Sequence, residues 1–334
     1  MTAIAIDHLQ KNYGTKPAVV DLSLKVEPGQ IYGLLGPNGA GKTTTMRCLA
    51  TLERPDGGEL WVAGISVRQY PREVRACLGY VAQEVAQDKV LTGRELLELH
   101  ADLYHLSRAE GRLRIQRMLE LLELNEYATD LIGSYSGGIK KRLDIACGLL
   151  HNPQVLLLDE PTVGLDINTR LKVWAFLKGL RSQGIAVLLT SHYLEEIDVL
   201  ADRVAIIDQG RVLAEGTPDQ LKTRVGGDRI TVRLQEFTPL ELATRGIALL
   251  QGVDFVREVV LNRTQGNALN LVVTSPEQAL ARLESYLKAQ GLPVFSIGQS
   301  RPSLDDVFLI TTGQSLQDAQ MAQVEITAQT RKKK

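Results

Sequence analysis

Cysteine is scarce in this chain: Cys48, Cys77 and Cys147 lie far apart and form no CxxC pair. That sparse, odd set argues against both a disulfide framework and a zinc site, and a reducing cytoplasm is the expected compartment. No apolar run approaches the roughly 20 residues a helix needs to cross a bilayer, so no membrane span is expected. The opening residues 1–7 lack the basic start and long apolar stretch of a secretion signal. Strong charge of one sign is missing too. The net charge is -1, so neither nucleic acid nor an anionic membrane surface is expected as a general electrostatic partner. The 44% hydrophobic and 23% charged residues make an ordinary globular balance. A length of 334 residues is long for one compact core and predicts two domains.

The most informative stretch is Gly36-Pro37-Asn38-Gly39-Ala40-Gly41-Lys42-Thr43-Thr44. It fits GxxxxGK(S/T), the phosphate-binding loop of nucleoside-triphosphate hydrolases. The apolar residues 30–35 before it read as a buried strand, and residues 43–50 after it continue as a helix. In that context successive N–H groups and the positive end of the helix face a polyphosphate. Glycines at 36, 39 and 41 permit the tight turn and the close approach. Lys42 then reaches the β- and γ-phosphates, and the Thr43 hydroxyl binds Mg²⁺.

Residues 3–9 and 19–26 alternate as half-buried strands, with Tyr13 in a turn-like position between them. By itself that tyrosine is open to two readings, stacking on an adenine ring or packing at the surface. Residues 59–63 and 78–82 read as short strands, the second ending at Gln83. Residues 93–105 and 112–124 place leucines near helical spacing. Their apolar faces read as core or partner contacts, and His100 and His105 as ordinary helix residues. Ser136, Gly137 and Gly138 precede a helix over 139–150, where they could cradle an anion or make a plain turn.

Residues 155–158 are apolar enough for the centre of a parallel sheet. Asp159 and Glu160 follow at its carboxyl end, where open α/β sheets bind ligands. Beside a phosphate loop, Asp159 is expected to hold Mg²⁺ through its water shell, and Glu160 to orient and deprotonate the attacking water. Residues 185–191 form the next buried strand, and His192 directly after it is either a loop residue or a γ-phosphate contact. A hairpin over 204–208 and 211–215, a helix over 218–225 and a linker at Gly226 and Gly227 follow. The remainder runs strand 229–235, helix 239–249, strands 256–261 and 268–273, helix 276–290 and strand 294–297. That is the order of a small ferredoxin-like unit, and it contains no phosphate loop, metal cluster or nucleophile constellation. The polar residues 314–334, ending in Arg331 and three lysines, are expected to be disordered.

Taken together, these segments resemble the nucleotide-binding subunit of an ATP-binding-cassette (ABC) transporter over about residues 1–225. Residues 36–43 match its Walker A loop, and 155–159 with Glu160 match Walker B and its catalytic glutamate. Tyr13 falls at the adenine-stacking aromatic, and Gln83 at the glutamine that contacts Mg²⁺ and senses the membrane subunit. Tyr135-Ser136-Gly137-Gly138-Ile139 looks like the family signature, Gly164-Leu165-Asp166 like the loop that crosses the dimer interface, and His192 like the switch histidine. The signature departs from Leu-Ser-Gly-Gly-Gln at Tyr135 and Ile139, while its centre keeps the hydroxyl and backbone donors. A tyrosine-led signature followed by basic residues is similar to the daunorubicin-resistance subgroup of exporters. Residues 302–309, ending near Gly313, are similar to that subgroup's accessory domain.

The resemblance implies an α/β P-loop NTPase fold of the ABC type over 1–225, with a helical subdomain at about 84–152. An accessory α+β domain over 226–313 follows. It also implies ATP hydrolysis by paired chains, in which Ser136, Gly137 and Gly138 of a second copy close the γ-phosphate side that the Walker loop leaves open. The partner is a second copy or a related ATPase chain, with no nucleic acid expected. Glu160, His192 and Lys42 carry catalysis, and Thr43, Gln83 and Asp159 hold Mg²⁺. The expected role is to power an exporter of drug or lipid-like cargo through a separate permease, at the cytoplasmic face of the cell membrane. The alternative is a soluble ABC-type ATPase in translation or DNA repair. Such proteins usually fuse two cassettes or carry long coiled coils, whereas this chain has one phosphate loop and no sustained heptads. A GTPase is disfavoured because no Asn-Lys-x-Asp segment occurs, and large sugar importers carry a longer C-terminal region.

Overall fold

The chain divides into two compact units, residues 1–213 and 214–334. The computed structural model describes residues 2–83, 88–191, 193–225, 228–263, 265–273, 276–300 and 302–313, together with Leu316 and Asp318. The Gly226 and Gly227 linker, His192 and the remainder of 314–334 lie outside the described residues.

The first unit opens with the antiparallel hairpin β1 (Ile4–Tyr13) and β2 (Lys16–Val26). Tyr13 is the last residue of β1, paired with Lys16, so the turn is tighter than the sequence predicts and Lys11 and Asn12 are strand residues. Then come β3 (Ile31–Leu35), α1 (Lys42–Leu49), β4 (Gly57–Val62), β5 (Ile65–Ser66), α2 (Pro71–Cys77) and β6 (Leu78–Val81). The α-helices α3 (Gly93–Leu103), α4 (Arg108–Leu121) and α5 (Gly137–Leu149) follow. Local chemistry fixes where they start. Thr92 and Glu95 form a reciprocal capping box on α3, and the Ser107 side chain caps α4 by accepting from Glu110 N. That cap starts α4 earlier than leucine spacing alone suggests. His105 lies past the end of α3 with φ 54 and is not a helix residue.

The chain returns through β7 (Val155–Asp159), α6 (Ile167–Arg181), β8 (Ala186–Ser191), α7 (Leu194–Leu200), β9 (Arg203–Asp208) and β10 (Arg211–Gly216). The strands make one ten-stranded sheet ordered β5-β4-β1-β2-β10-β9-β3-β8-β7-β6. Within it β9, β3, β8, β7 and β6 are parallel. Every residue of β3, β7 and β8 is buried, as strands covered on both faces require. Because β3 and β7 run the same way, the phosphate loop and the Asp159–Glu160 pair emerge at one edge, the carboxyl edge where such sheets bind ligands.

The second unit contains α8 (Pro218–Val225), β11 (Asp228–Arg233), α9 (Leu240–Leu250), β12 (Val256–Asn262), β13 (Ala268–Val273), α10 (Pro276–Ala289), β14 (Ser296–Ser300) and α11 (Leu304–Thr312). Its four strands are antiparallel in the order β12-β13-β11-β14. Ile230, Val232, Leu269, Leu271 and Val273 point to one face and share a core with Ala243, Leu250, Leu283 and Leu287 of α9 and α10. The alternate positions Arg229, Asn270 and Val272 are buried as well, on the opposite face. There the Arg229 Nε lies 3.6 Å from Asp306 Oδ1 of α11, whose Leu304, Val307, Phe308 and Leu309 are buried. Among the described residues, no helix is long and apolar enough to cross a membrane.

Candidate active site

The loop between β3 and α1 is built around glycine. A Cβ on Gly36 would lie 2.3 Å from the Ile207 carbonyl oxygen. Gly41, the N-cap of α1, has φ 107, and a Cβ there would meet the Ala18 carbonyl at 2.8 Å. Pro37 and Ala40 close the turn between them through the bond from Ala40 N to Pro37 O at 3.2 Å. Lys42 is buried, and its Nζ donates to Gly36 O at 2.6 Å and Pro37 O at 3.0 Å. Burial lowers the pKa of this ammonium, while the charges of Glu160 and Asp159 act in the opposite direction.

Asp159 and Glu160 are both buried at the end of β7, and Thr190 of β8 positions them together. Its hydroxyl donates to Asp159 Oδ1 at 2.5 Å and accepts from Glu160 N at 3.0 Å. Among the described residues, the other carboxylate oxygen of Asp159 has no hydrogen-bond partner. Glu160 has φ 49, a left-handed conformation that costs a non-glycine residue about 1–3 kcal/mol. The bend turns its carboxylate toward Gln83, whose Nε2 donates to Glu160 Oε2 at 2.8 Å.

These parts meet around a cavity of about 240 Å³ lined by Tyr13, Asn38, Gly39, Gly41, Lys42, Thr43, Thr44, Gln83 and Glu160. Tyr13 is 46% exposed, and Lys11 Nζ lies 5.4 Å from its ring centroid, which leaves an aromatic surface at the mouth. Lys16, Pro17 and Ala18 also line the cavity. Sequence reasoning missed these three, and it missed Thr190, because hairpin pairing and strand register bring them here. The position after Ser191 falls to His192, outside the described residues.

Ser136, Gly137, Gly138 and Asp166 do not line this cavity. Ser136 caps α5, its side chain accepting from Ile139 N at 3.4 Å, and Ser136 and Gly137 are exposed. Tyr135 is buried with its hydroxyl donating to Tyr127 O, so this tyrosine anchors the segment from behind. Asp166 caps α6 by accepting from Thr169 N at 3.0 Å and Thr169 Oγ1 at 2.6 Å. Those bonds hold its carboxyl below the usual range. A Cβ on Gly138 would lie 3.0 Å from Thr169 Cγ2, so the signature-like and Asp166 segments are neighbours on one surface.

The family model for ABC transporters matches residues 19–163. A second model, for the DrrA1-3-like ATP-binding protein C-terminal domain, matches residues 216–312. The daunorubicin resistance ATP-binding protein DrrA2 of Streptomyces coeruleorubidus is 44% identical over 311 residues, 93% of this chain and 95% of that one. The chain belongs to the family of ABC-transporter ATP-binding subunits. It is an ABC ATPase, and the resemblance read from its motifs, including the daunorubicin-resistance subgroup, is borne out. The ABC ATPase is also 36% identical over 318 residues to the Nod factor export ATP-binding protein I of Paraburkholderia xenovorans, covering 95% of this chain and 99% of that one. Among solved structures, it is similar to the dimeric post-hydrolysis state of the ATP-binding cassette MJ0796 bound to ADP and Pi. The TM-score is 0.60 at 26% identity, over 64% of this chain and 98% of that one.

Proposed function

We propose that this ABC ATPase powers an exporter through a separate membrane permease, held at the cytoplasmic membrane face and working as an ATP-sandwiched dimer of identical or related chains. The observation that carries the chemical part is the placing of Glu160, Gln83 and Lys42 around one cavity beside the phosphate loop. The export part is supported by the relatives, one named for daunorubicin resistance and one for Nod factor export. Those names make a drug or lipid-like compound the proposed cargo class.

In this reading the adenine stacks on Tyr13, and the N–H groups of residues 38–44 and the Lys42 ammonium hold the phosphates. The donor set fits a magnesium ion: a buried Asp159 oxygen without a hydrogen-bond partner among the described residues, the hydroxyl of the exposed Thr43 and the Gln83 amide oxygen. Mg²⁺ commonly takes one or two protein carboxylates and draws its other ligands from phosphate and water. When bound it supplies charge neutralisation at the β- and γ-phosphates. Glu160 accepts the proton of the attacking water, His192 steadies the γ-phosphate, and Lys42 offsets charge as the bond to the leaving phosphate breaks. Ser136, Gly137 and Gly138 of the second chain complete the phosphate shell, and Asp166 lies at the same interface. Loss of the γ-phosphate removes a group held by both chains, and the pair opens because the two states bind the nucleotide differently.

Glu160→Gln tests the base. ATP binding should survive, turnover should fall by about 100-fold or more, and an ATP-dependent dimer should accumulate in light scattering. Unchanged steady-state hydrolysis would remove Glu160 from this role. The export reading predicts a multi-span membrane protein copurifying in stoichiometric amount from gently solubilised membranes. Recovery with ribosomes or nucleic acid instead would sink it.

A further inference from the structure

We propose that Lys141 is a positioning residue that ties α5 to the strand end carrying Gln83, so that α5 links one nucleotide site to the other across the dimer. Lysine is among the side chains least often fully buried, yet Lys141 is 3% exposed. Its Nζ donates to the Ala82 carbonyl at 2.7 Å. Ala82 directly precedes Gln83, the residue whose amide holds the Glu160 carboxylate. Burial opposes the charge of Lys141, while Asp144, Asp159, Glu160 and Glu196 favour it. Filling this space does not need an ammonium, since methionine has nearly the same length and no desolvation cost. What the ammonium adds is a directed bond to one backbone oxygen.

Ser136 is the N-cap of the same helix, five residues before Lys141, which is about 7.5 Å along the axis at about 1.5 Å per residue. Over that length a helix moves as a rod. Arg142 fixes the neighbouring face of the rod, donating to Leu122 O at 2.8 Å and Glu123 O at 3.2 Å at the end of α4. A shift of the first turn of α5 must therefore pull on Ala82 through Lys141. This inference rests on the reading that Ser136 to Gly138 contact ATP held by a second chain. Given that contact, the state of one site reaches Glu160 of the other through Ser136, α5, Lys141, Ala82 and Gln83.

The experiment compares Lys141→Met and Lys141→Arg in the full chain, by ATP turnover against ATP concentration, with thermal melting as the folding control. The proposal expects the Met protein to lose about tenfold in kcat with KM held within about twofold, and its Hill slope to fall to about 1. The Arg protein, which keeps a long donor, should recover most of kcat and the wild-type slope above 1. A lysine present only for packing predicts the reverse order, Met near wild type and Arg impaired, and that order would overturn the proposal. If Lys141→Met does not fold, Lys141→Gln is too short to reach Ala82 and is read against Arg in the same way. Failure of the Glu160→Gln protein to form any ATP-dependent dimer would instead remove the sandwich reading and the cross-site part with it. The order of kcat among the variants still decides the Lys141 contact.

Discussion

His151 shows how a single side chain couples acidity to the fold. Its ring stacks on Tyr104 with centroids 3.8 Å apart and an interplanar angle of 4°, and Nε2 lies 3.2 Å from Leu78 O. Burial pushes its pKa from 6.5 down to about 4, although the Leu78 carbonyl pulls the other way. The folded chain therefore keeps the ring neutral while the unfolded chain takes up a proton below 6.5. The sign follows: this contribution to stability is complete above the unfolded value and is lost as pH falls through the folded one. His151→Phe keeps an aromatic ring against Tyr104 and has nothing to titrate. Its melting temperature should drop less than that of the wild type between pH 6.5 and 4, and equal drops would show that His151 does not contribute. At this scale Lys42, Thr43 and Glu160 were legible, because they sit in motifs whose spacing is itself the chemistry, whereas Gln83 came only through the family resemblance. Thr190 was not, since its role is to reach Asp159 and Glu160 across a strand pair that no local pattern displays.

Between elements, α5 packs closely on β6. A Cβ on Gly79 would lie 2.1 Å from Gly148 O, so helix and strand meet with no side chain between them. Gly79→Ala should cost about 1–3 kcal/mol or more through overpacking, read as a lowered denaturant midpoint at unchanged slope. A neutral result would mean that α5 can slide away from β6, and the rigid seat of Lys141 would go with it. The strongly patterned strands β3, β7 and β8 were readable because burial on both faces leaves uninterrupted apolar runs. Helix α6 was missed for a physical reason: Ile167 and Leu171 are 72% and 52% exposed, while Val173, Trp174 and Leu177 are buried, so no single apolar stripe stands out. In α11 the β-branched Val307, Ile310, Thr311 and Thr312 weaken the helical signal, and the Ser303 and Asp306 capping box decides the matter. Strand β14 begins later than expected because its pairing with β11, a tertiary choice, sets its register through Gly298 and Gln299.

Each unit of the molecule carries a hydrophobic core of its own. Heating in a calorimeter should then resolve two transitions. ATP at about 100 times its Kd should stabilise only the first unit's transition, by about 2.7 kcal/mol. A single transition that moves as one with ATP would show that the units unfold together. The second face of the small sheet has a further consequence for how the chain is made. Among the described residues, Arg229 is buried without a hydrogen bond to any of its three nitrogens, and its counter-charge, Asp306, belongs to α11. Synthesis proceeds at about 5–20 residues per second, so the arginine waits several seconds for that helix to leave the ribosome. Until then the sheet is half-clothed and its charge is bare. The ATP-binding unit has emerged by that point, so any premature stop before α11 leaves a chain whose first unit is complete and whose second cannot close.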